Sequence, residues 1–222
     1  MSFIVAIDGP AGSGKGTIAK LVADDLGFLT MDTGAMYRCV TVYFIENQIS
    51  LEEEEKVENS LEKIQIDMKD IDGTQNFFLN GENVSTKIRT KEVDSLVSQV
   101  SHLVPVRLAM VHLQRKLAEG KKIIMEGRDI GTNVFPNADV KIYLDATPEE
   151  RARRRMEQNK AKGINNISFE EILENVKFRD YNDMTSSVAP LKKAEDAITV
   201  DSSNLTIPQV VERVENIIKE RM

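Results

Sequence analysis

The sequence contains few residues that could cross-link the chain, build a metal centre or anchor it in a membrane. Its 222 residues include one cysteine, two histidines and no tryptophan. A lone Cys39 excludes an internal disulfide and fits a reducing compartment, and His102 and His112 lack the spacing of metal ligands. No apolar run approaches the ~20 residues of a membrane span, and the N-terminus does not resemble a signal peptide. We therefore expect a cytoplasmic protein without a membrane partner and without a metal centre of its own side chains.

Negative charge outweighs positive charge in the sequence. The formal net charge is −7, because 36 acidic residues outnumber 29 basic ones. This balance argues against a general nucleic-acid binder, so an anion would have to be bound locally by clustered Arg and Lys. With 41% hydrophobic and 29% charged residues, the composition is that of one folded domain with insertions and a substantial core.

The most informative segment is a glycine-rich turn at residues 9–17, directly after the apolar run Phe3–Ile7. Backbone N–H groups of such a turn form a nest for anionic oxygens, and the positive end of the following helix faces the same point. Lys15 adds an ammonium that can reach the outer phosphates of a nucleotide. The predicted triphosphate-binding residues are Gly9, Pro10, Ala11, Gly12, Ser13, Gly14, Lys15, Gly16 and Thr17.

The residue after the lysine is Gly16, where many phosphate-binding loops have a Ser or Thr that binds Mg²⁺. A glycine at this place resembles the loop of nucleoside monophosphate kinases. In that group, Mg²⁺ is held mainly by phosphates and water. It argues against a switch GTPase, and the chain has no Asn-Lys-x-Asp string for reading guanine. The Asp-x-x-Gly string at residues 70–73 lies in a polar hairpin pattern, and we interpret it as a coincidence.

Further apolar runs at residues 28–31, 123–125, 140–144 and 197–200 predict buried strands, with helical patterns between most of them. Strands that alternate with helices predict an α/β fold with a parallel sheet. Ligands of such sheets bind beyond the carboxyl ends of the strands, so the chemistry is expected just after residues 8, 31, 126 and 145.

Residues 60–104 interrupt this alternation. Apolar residues alternate with polar ones from Ile64 to Met68, and Asp72-Gly73 and Asn80-Gly81 are hairpin turn signals. A helical stripe from Val93 to Val100 follows. The segment predicts a small β-rich insertion and a helix at the side of the main sheet.

Arginines follow two of the predicted strands. After the second strand, Thr33 could cap a helix or contact a ligand, and Arg38 could reach back towards the sheet. After the third strand, Gly127 permits a tight turn that would place Arg128 in the crevice, next to Asp129. Guanidinium groups bind phosphate through two hydrogen bonds, which favours an anion site. A structural ion pair of a buried Arg with an Asp is the alternative.

A third group of arginines follows Thr147, where a capping box opens a helix. Arg151, Arg154 and Arg155 share one face of this helix. They form either a basic face paired with neighbouring glutamates or a site that closes over a polyphosphate. The polar stretch Asn159–Asn166 suits a lid, and a second helix, capped at Ser168, returns to Arg179.

Taken in order, these motifs resemble those of the bacterial cytidylate kinases. The resemblance covers almost the whole chain, and the stretches around Arg89 and around Gly127-Arg128-Asp129 are more specific than the phosphate-binding loop. The matching segments are residues 7–17, 31–38, 88–93, 98–101, 126–132, 135–141, 179–180 and 188–191.

The resemblance implies a three-layer P-loop kinase fold with a parallel five-stranded sheet. Residues 60–104 would be a β-rich monophosphate-binding insertion and 147–180 a helical lid, leaving 1–59, 105–146 and 181–222 as the core. It also implies transfer of the ATP γ-phosphoryl group to CMP or dCMP, with Mg²⁺ as cofactor. A monomer is expected, with CMP, dCMP and ATP as its partners.

The resemblance further implies roles for individual positions. Cytosine would be read by Ser98, Arg107 and Asp129, and the sugar by Thr33 and Asp183. The acceptor phosphate would be held by Arg38 and Arg128. The predicted catalytic residues are Lys15, Arg128, Arg151, Arg155 and Arg179, the last three closing around the transferred group.

Ser186 stands where the family often has an Arg, three places after Asp183, so one contact to the sugar or phosphate is expected to be missing or supplied by a neighbour. Two other functions remain as alternatives. One is a P-loop kinase for another acceptor, such as AMP, UMP or a metabolite hydroxyl. The other is a nucleotide-dependent switch, which the arginine-rich crevice argues against.

Overall fold

The computed structural model describes residues 2–71, 74–161, 163 and 167–222. The chain divides into two compact units, Met1–Met31 with Ala118–Met222 and Asp32–Leu117. The expected turn at Asp72-Gly73 and part of the expected lid stretch Asn159–Asn166 lie outside the described residues. The strands are β1 Phe3–Asp8, β2 Leu29–Asp32, β3 Ile66–Ile71, β4 Thr74–Leu79, β5 Glu82–Asn83, β6 Lys122–Gly127, β7 Val140–Asp145 and β8 Ile198–Asp201. The α-helices are α1 Lys15–Leu26, α2 Thr33–Glu46, α3 Glu54–Leu61, α4 Lys91–His102, α5 Val104–Ala118, α6 Pro148–Ala161, α7 Phe169–Thr185 and α8 Ile207–Lys219.

The first unit is built on a five-stranded sheet in the order β2-β6-β1-β7-β8. Strand β1 pairs in parallel with β6 and β7, and β7 pairs in parallel with β8. The central strand is covered on both faces, which explains its unbroken apolar sequence. Asp8 at its end is in register with Gly127 and Tyr143. The sheet therefore brings the carboxyl ends of three strands to one edge, and the predicted parallel sheet is confirmed.

Helices α1 and α8 cover the sheet of the first unit with one apolar core. Ile18 and Val22 of α1 and Val214 and Ile218 of α8 are all buried in it. Each large apolar side chain buried in this way contributes roughly 1.5–3 kcal/mol. The apolar stripe of α8 is thus core packing, as its spacing predicts.

The predicted helix starts are confirmed with one difference. Ser168 and Glu171 form both bonds of the capping box at α7. At α6, the Thr147 hydroxyl accepts from the Glu150 amide at 3.2 Å, but the Thr147 amide donates to Ser203 Oγ at 2.9 Å. The prediction of the second bond of that box is wrong, because the Glu150 carboxylate binds arginines, which are stronger partners than a neutral amide.

The second unit contains the predicted β-rich insertion. Strands β3, β4 and β5 form an antiparallel sheet, with Phe77 and Leu79 buried on one face. Asn80 and Gly81 have φ angles of 50° and 86°, as a two-residue hairpin turn requires. Within the described part of the chain no single helix could span a membrane. Helices α4 and α5 reach the necessary length and apolar composition only as a pair bent by 91°.

Candidate active site

Gly9 begins the phosphate-binding loop where no side chain fits. Its φ is 153°, and a Cβ atom there would lie 2.1 Å from the Leu144 carbonyl oxygen. The end of β7 therefore approaches the loop backbone as closely as only glycine allows. Gly14, with φ of 94°, caps the N-terminus of α1. Strand β1, the loop and α1 thus form the predicted strand–turn–helix, with the positive helix end facing the loop.

Lys15 is held inside this loop. Its side chain is buried, and Nζ donates to the Pro10 carbonyl oxygen at 2.8 Å. Burial and the nearby Arg128 guanidinium lower the pKa of Lys15 to about 7, against the opposing influence of the Glu126 and Asp8 carboxylates. At neutral pH the lysine is therefore divided between its charged and neutral forms, and a bound polyphosphate would favour the charged form.

Side chains of other elements bind the carbonyl oxygens of the loop. Arg151 Nη1 donates to Ala11 O at 3.0 Å, and Arg154 Nη1 donates to Ser13 O at 3.3 Å. The Ser202 hydroxyl also donates to Ser13 O, at 3.4 Å. Because the N–H and C=O of one peptide point in opposite directions, holding these carbonyls on one side directs loop amides to the other.

Arg151 does not lie on an open basic face. Its guanidinium is buried and donates to both carboxylate oxygens of Asp180, at 2.8 and 2.5 Å. Arg153 and Arg154 pair with Glu150 on their own helix. Arg151 and Arg154 share one face of α6, as predicted, since both donate to carbonyl oxygens of the loop, and α7 packs over α6 beside Arg151. Arg154 therefore pairs with a neighbouring glutamate, as one of the two interpretations expects, whereas Arg151 pairs with an aspartate of α7.

Arg128 and Asp183 are bonded to each other. Arg128 Nε donates to Asp183 Oδ2 at 2.8 Å, and the Leu191 amide donates to the Asp183 carbonyl oxygen, also at 2.8 Å. Ser186 shapes the turn after α7, since its hydroxyl donates to Val188 O and accepts from the Val188 amide. The serine at this place therefore has a local structural role that an arginine would not perform.

Asp8 is a site residue that the sequence reasoning did not single out. Its two carboxylate oxygens accept hydrogen bonds from the Ile130 and Gly131 amides, at 2.8 and 2.7 Å. Burial raises the pKa of Asp8 to about 6 in spite of these two bonds. The signal was present as an Asp at the end of a buried strand. Asp8 ties the end of β1 to the turn that follows Arg128 and Asp129.

In the second unit, Asp32 caps α2, and Thr33 does not. Asp32 Oδ1 accepts from the Ala35 amide at 2.9 Å, and Thr33 is buried. Asp32 Oδ2 also accepts from Arg89 at 3.2 Å. The cap function that the sequence left open for Thr33 is thus performed by the residue before it, since a carboxylate accepts the amide of the first turn at least as well as a hydroxyl does.

The other predicted acceptor-site residues of this unit lie on α2, α4 and α5. Arg38 donates to Ile88 O at 2.9 Å and pairs with Asp94 at 2.6 Å. Arg107 is buried, donates to the Ser101 carbonyl oxygen at 3.3 Å, and lies over the Tyr37 ring, 5.5 Å from its centroid. Ser98 is exposed on α4.

The predicted site residues are therefore divided between the two units. Those of the first unit are the loop residues 9–17 with Arg128, Asp129, Arg151, Arg155, Arg179 and Asp183. Those of the second unit are Thr33, Arg38, Ser98 and Arg107. Arg155 and Arg179 are on exposed faces of α6 and α7.

A glycine-rich loop between a central parallel strand and a helix, with a buried lysine inside it, defines a phosphotransferase of the P-loop class. The chain belongs to the cytidylate kinase family, because the family model described as cytidylate kinase matches residues 5–220. A cytidylate kinase of Fusobacterium nucleatum subsp. nucleatum is 50% identical over 95% of this chain and 94% of its own length. One of Thermosipho melanesiensis is 46% identical, over 98% and 97%.

Solved structures show the same fold at low sequence identity. A gluconokinase from Sinorhizobium meliloti has a TM-score of 0.52 and 10% identity, over 99% of this chain and 93% of that one. An uncharacterized protein from Eubacterium ventriosum has a TM-score of 0.54 and 12% identity, over 99% of both chains. At such low sequence identities, the structural similarity shows a shared fold and nothing about activity.

Proposed function

We propose that the protein transfers the γ-phosphoryl group of ATP to CMP or dCMP, giving ADP and CDP or dCDP, in pyrimidine nucleotide metabolism. Membership of the cytidylate kinase family over residues 5–220 supports the reaction and the acceptor class. The observation that supports binding of ATP, the phosphoryl donor, is the buried Lys15. Its Nζ donates to the Pro10 carbonyl oxygen inside the loop.

Lys15 and the loop amides bind the ATP phosphates. The ammonium leaves the Pro10 carbonyl and turns to the outer phosphates, where a full negative charge is a stronger partner than a neutral carbonyl. Arg151 and Arg154 keep the loop carbonyls bound throughout, at 3.0 and 3.3 Å. The loop therefore needs little rearrangement when the nucleotide binds, which limits the entropic cost of binding.

Arg38 and Arg128 hold the phosphate of the monophosphate. A guanidinium has five N–H donors in a fixed fork, so Arg128 can bind a phosphate while its Nε remains on Asp183. Neutralising the acceptor reduces its repulsion with the ATP phosphates. The acceptor phosphate is already an anionic nucleophile, so the reaction needs no general base. Holding the two reactants in line could lower the barrier by ~7–11 kcal/mol.

Asp129, Ser98 and Arg107 read the cytosine ring, while Thr33 and Asp183 contact the sugar. A carboxylate accepts a hydrogen bond from the exocyclic amine of cytosine, which uracil replaces with a carbonyl oxygen. Asp129 is buried, and in a dry environment an unmatched polar group is costly, so the carboxylate discriminates strongly between these bases.

Arg155 and Arg179 move to the transferred group when residues 147–180 close as a lid over the core, with 60–104 as the monophosphate-binding insertion. Their positive charge compensates the charge that develops on the equatorial oxygens. Closure also excludes water, which would otherwise hydrolyse ATP. Arg151 contributes from a different position, as the buried support of the loop backbone.

Mg²⁺ is the expected cofactor, and the residues beside the loop are compatible with it. A Cβ atom on Gly16 would lie 3.0 Å from a carboxylate oxygen of Glu126, so an acidic side chain stands where other loops have a hydroxyl. Carboxylate, hydroxyl and phosphate oxygens are the ligands that Mg²⁺ prefers. Glu126 and Thr17 would hold the ion, directly or through water, and the ion would neutralise the phosphate charge.

The test is release of ADP from ATP–Mg²⁺ with CMP, dCMP, UMP, AMP or no acceptor. We expect strong turnover with CMP and dCMP, weak turnover with UMP, and almost none without an acceptor. Fast turnover with AMP alone among the nucleotides would identify a kinase for a different acceptor. Hydrolysis that ignores the acceptor would identify an NTPase or a switch and overturn the proposal.

We also propose that the enzyme acts in the cytoplasm as a monomer, with ATP, CMP and dCMP as partners and no nucleic acid. The single cysteine of the sequence fits a reducing compartment, and Cys39 is buried with a pKa raised to about 12 by that burial. Light scattering across a range of concentrations would check the oligomeric state, since a dimer would double the mass of 24.9 kDa.

A further inference from the structure

The carboxylate proposed to read cytosine has a side-chain partner four residues further along. Asn133 Nδ2 donates to Asp129 Oδ2 at 2.9 Å. Asp129 is buried, whereas Asn133 is exposed. The bond therefore joins a surface side chain to a carboxylate inside the site, which makes it accessible to substitution without a change in the core.

The backbone between the two residues takes an uncommon form. Residues Ile130–Val134 form a π-helical turn, a conformation that is rare and is frequent at functional sites. The amides of Asn133 and Val134 both donate to the Asp129 carbonyl oxygen, at 2.9 and 3.1 Å. Asn133 thus contacts Asp129 through its backbone and its side chain together, and the wide turn is what brings the amide group back to the carboxylate.

Buried contacts anchor this turn to the sheet. Asp8 accepts the Ile130 and Gly131 amides, and Lys141 Nζ donates to Pro136 O at 2.5 Å. A Cβ atom on Gly131 would lie 3.1 Å from Lys141 Cδ, so the turn is packed tightly on this side. Asn133 therefore holds the Asp129 carboxylate from a rigid support.

We infer that Asn133 is a positioning residue that sets the preference for cytosine over uracil through Asp129. The inference rests on the proposed role of Asp129 in reading the base. The terminal torsion of an Asp side chain has a broad distribution, and the Asn133 amide restricts it in Asp129 by donating to Oδ2. A carboxylate fixed in this way points its acceptor oxygens in one direction. It can then accept a hydrogen bond from the exocyclic amine of cytosine, whereas it repels the carbonyl oxygen that uracil has at that place.

Two variants of Asn133 test the inference, with kcat/KM measured for CMP and for UMP. Asn133→Ala removes the donor, and the CMP/UMP ratio should fall roughly fivefold, as expected for the loss of one hydrogen bond. Asn133→Asp keeps the shape but faces Asp129 with a like charge, and the ratio should fall further. The KM for ATP should not change.

Asn47→Ala is the matched control, because Asn47 Nδ2 also donates four residues back, to Tyr43 O at 2.9 Å. It should leave the CMP/UMP ratio unchanged. Equal losses with CMP and UMP in the Asn133 variants would indicate a structural role only and overturn the inference, as would an unchanged ratio.

Asp129→Ala separates this inference from the proposed function. If Asp129→Ala abolishes the preference and the Asn133 variants keep it, the inference alone fails. If Asp129→Ala keeps the preference, the proposed reading of cytosine fails, and the inference fails with it. The double variant Asn133→Ala/Asp129→Ala should have the same ratio as Asp129→Ala, because the inferred effect of Asn133 on the base preference passes through that carboxylate.

Discussion

Arg151 and Asp180 form a buried ion pair with two parallel hydrogen bonds, at 2.8 and 2.5 Å, that joins α6 to α7. The same guanidinium donates to the Ala146 carbonyl oxygen at the end of β7 and to the Ala11 carbonyl oxygen in the phosphate-binding loop. One side chain therefore connects three parts of the first unit. Its partner Asp180 is as important as the arginine, because an unpaired buried charge is costly.

Asp180→Ala should reduce the free energy of unfolding by about 3–5 kcal/mol, because it leaves the Arg151 charge buried without its partner. Urea denaturation followed by circular dichroism measures this loss. The control is Asp24→Ala, which breaks the exposed pair with Lys20 and should cost under about 1 kcal/mol. Equal losses in the two variants would show that the buried pair has no special role.

Lys15→Ala should lower kcat by about a thousandfold or more while the fold remains intact, because the variant loses the lysine ammonium of the loop. Steady-state ADP release with CMP measures the activity, and thermal unfolding measures the fold. Lys20→Ala, on the exposed side of the same helix, is the control and should retain normal turnover. Near-normal turnover of Lys15→Ala would remove the lysine from the mechanism.

Nucleotide binding should be accompanied by proton uptake at pH 8. The pKa of Lys15 is lowered from 10.5 to about 7, and a bound polyphosphate would raise it again. Titration calorimetry in buffers of different ionisation enthalpy measures the uptake, and Lys15→Arg, which is always charged, should abolish it. Uptake that persists in Lys15→Arg would assign the proton to another group.

The same pKa shift has a consequence for stability. Because the unfolded chain retains the lysine proton up to about pH 10.5 and the folded chain loses it near pH 7, stability from this group rises with pH between those values. Asp8 acts in the opposite sense, since its pKa is raised from 3.8 to about 6, so stability falls from pH 4 towards pH 6. Lys15→Met should flatten the first slope, and an unchanged slope would contradict the assignment.

Gly9→Ala should destabilise the protein by about 3 kcal/mol or more, because its Cβ would overlap the Leu144 carbonyl oxygen at 2.1 Å and backbone cannot move aside cheaply. Gly81→Ala is the matched control. It also has a positive φ, of 86°, but no atom lies within 4 Å of its Cβ, so only the conformational cost of about 1 kcal/mol applies. Similar melting temperatures for the two variants would contradict the steric argument.

Asp183→Ala should raise the KM for CMP and dCMP several-fold more than the KM for ATP. The variant removes the proposed sugar contact, and it also releases Arg128 Nε, which is 2.8 Å from Asp183 Oδ2. A charge-assisted bond of this kind contributes roughly 1.5–3 kcal/mol. Unchanged KM values for both monophosphates would exclude Asp183 from the acceptor site.

Much of the fold is predictable because its signals are local. The apolar runs, the glycine-rich turn and the Asn80-Gly81 pair each depend on a few consecutive residues, and the strands and hairpin form where they are expected. Capping was predicted less well. The Thr147 amide donates to Ser203 Oγ, which is 56 residues away in the chain. No local sequence pattern predicts that partner.

The parallel sheet, the phosphate-binding loop and the family could be predicted from the amino-acid sequence, because they depend on periodicity, glycine spacing and ordered motifs. The partners of the charged groups became known only from the packed structure. It placed Arg151 against Asp180, gave Asp8 two backbone amides, and brought Asn133 back to Asp129. The physical reason is that the partners of an ion pair or a buried hydrogen bond depend on how elements distant in sequence pack, or on the course of a wide turn. Charge and composition predict neither the packing nor the turn.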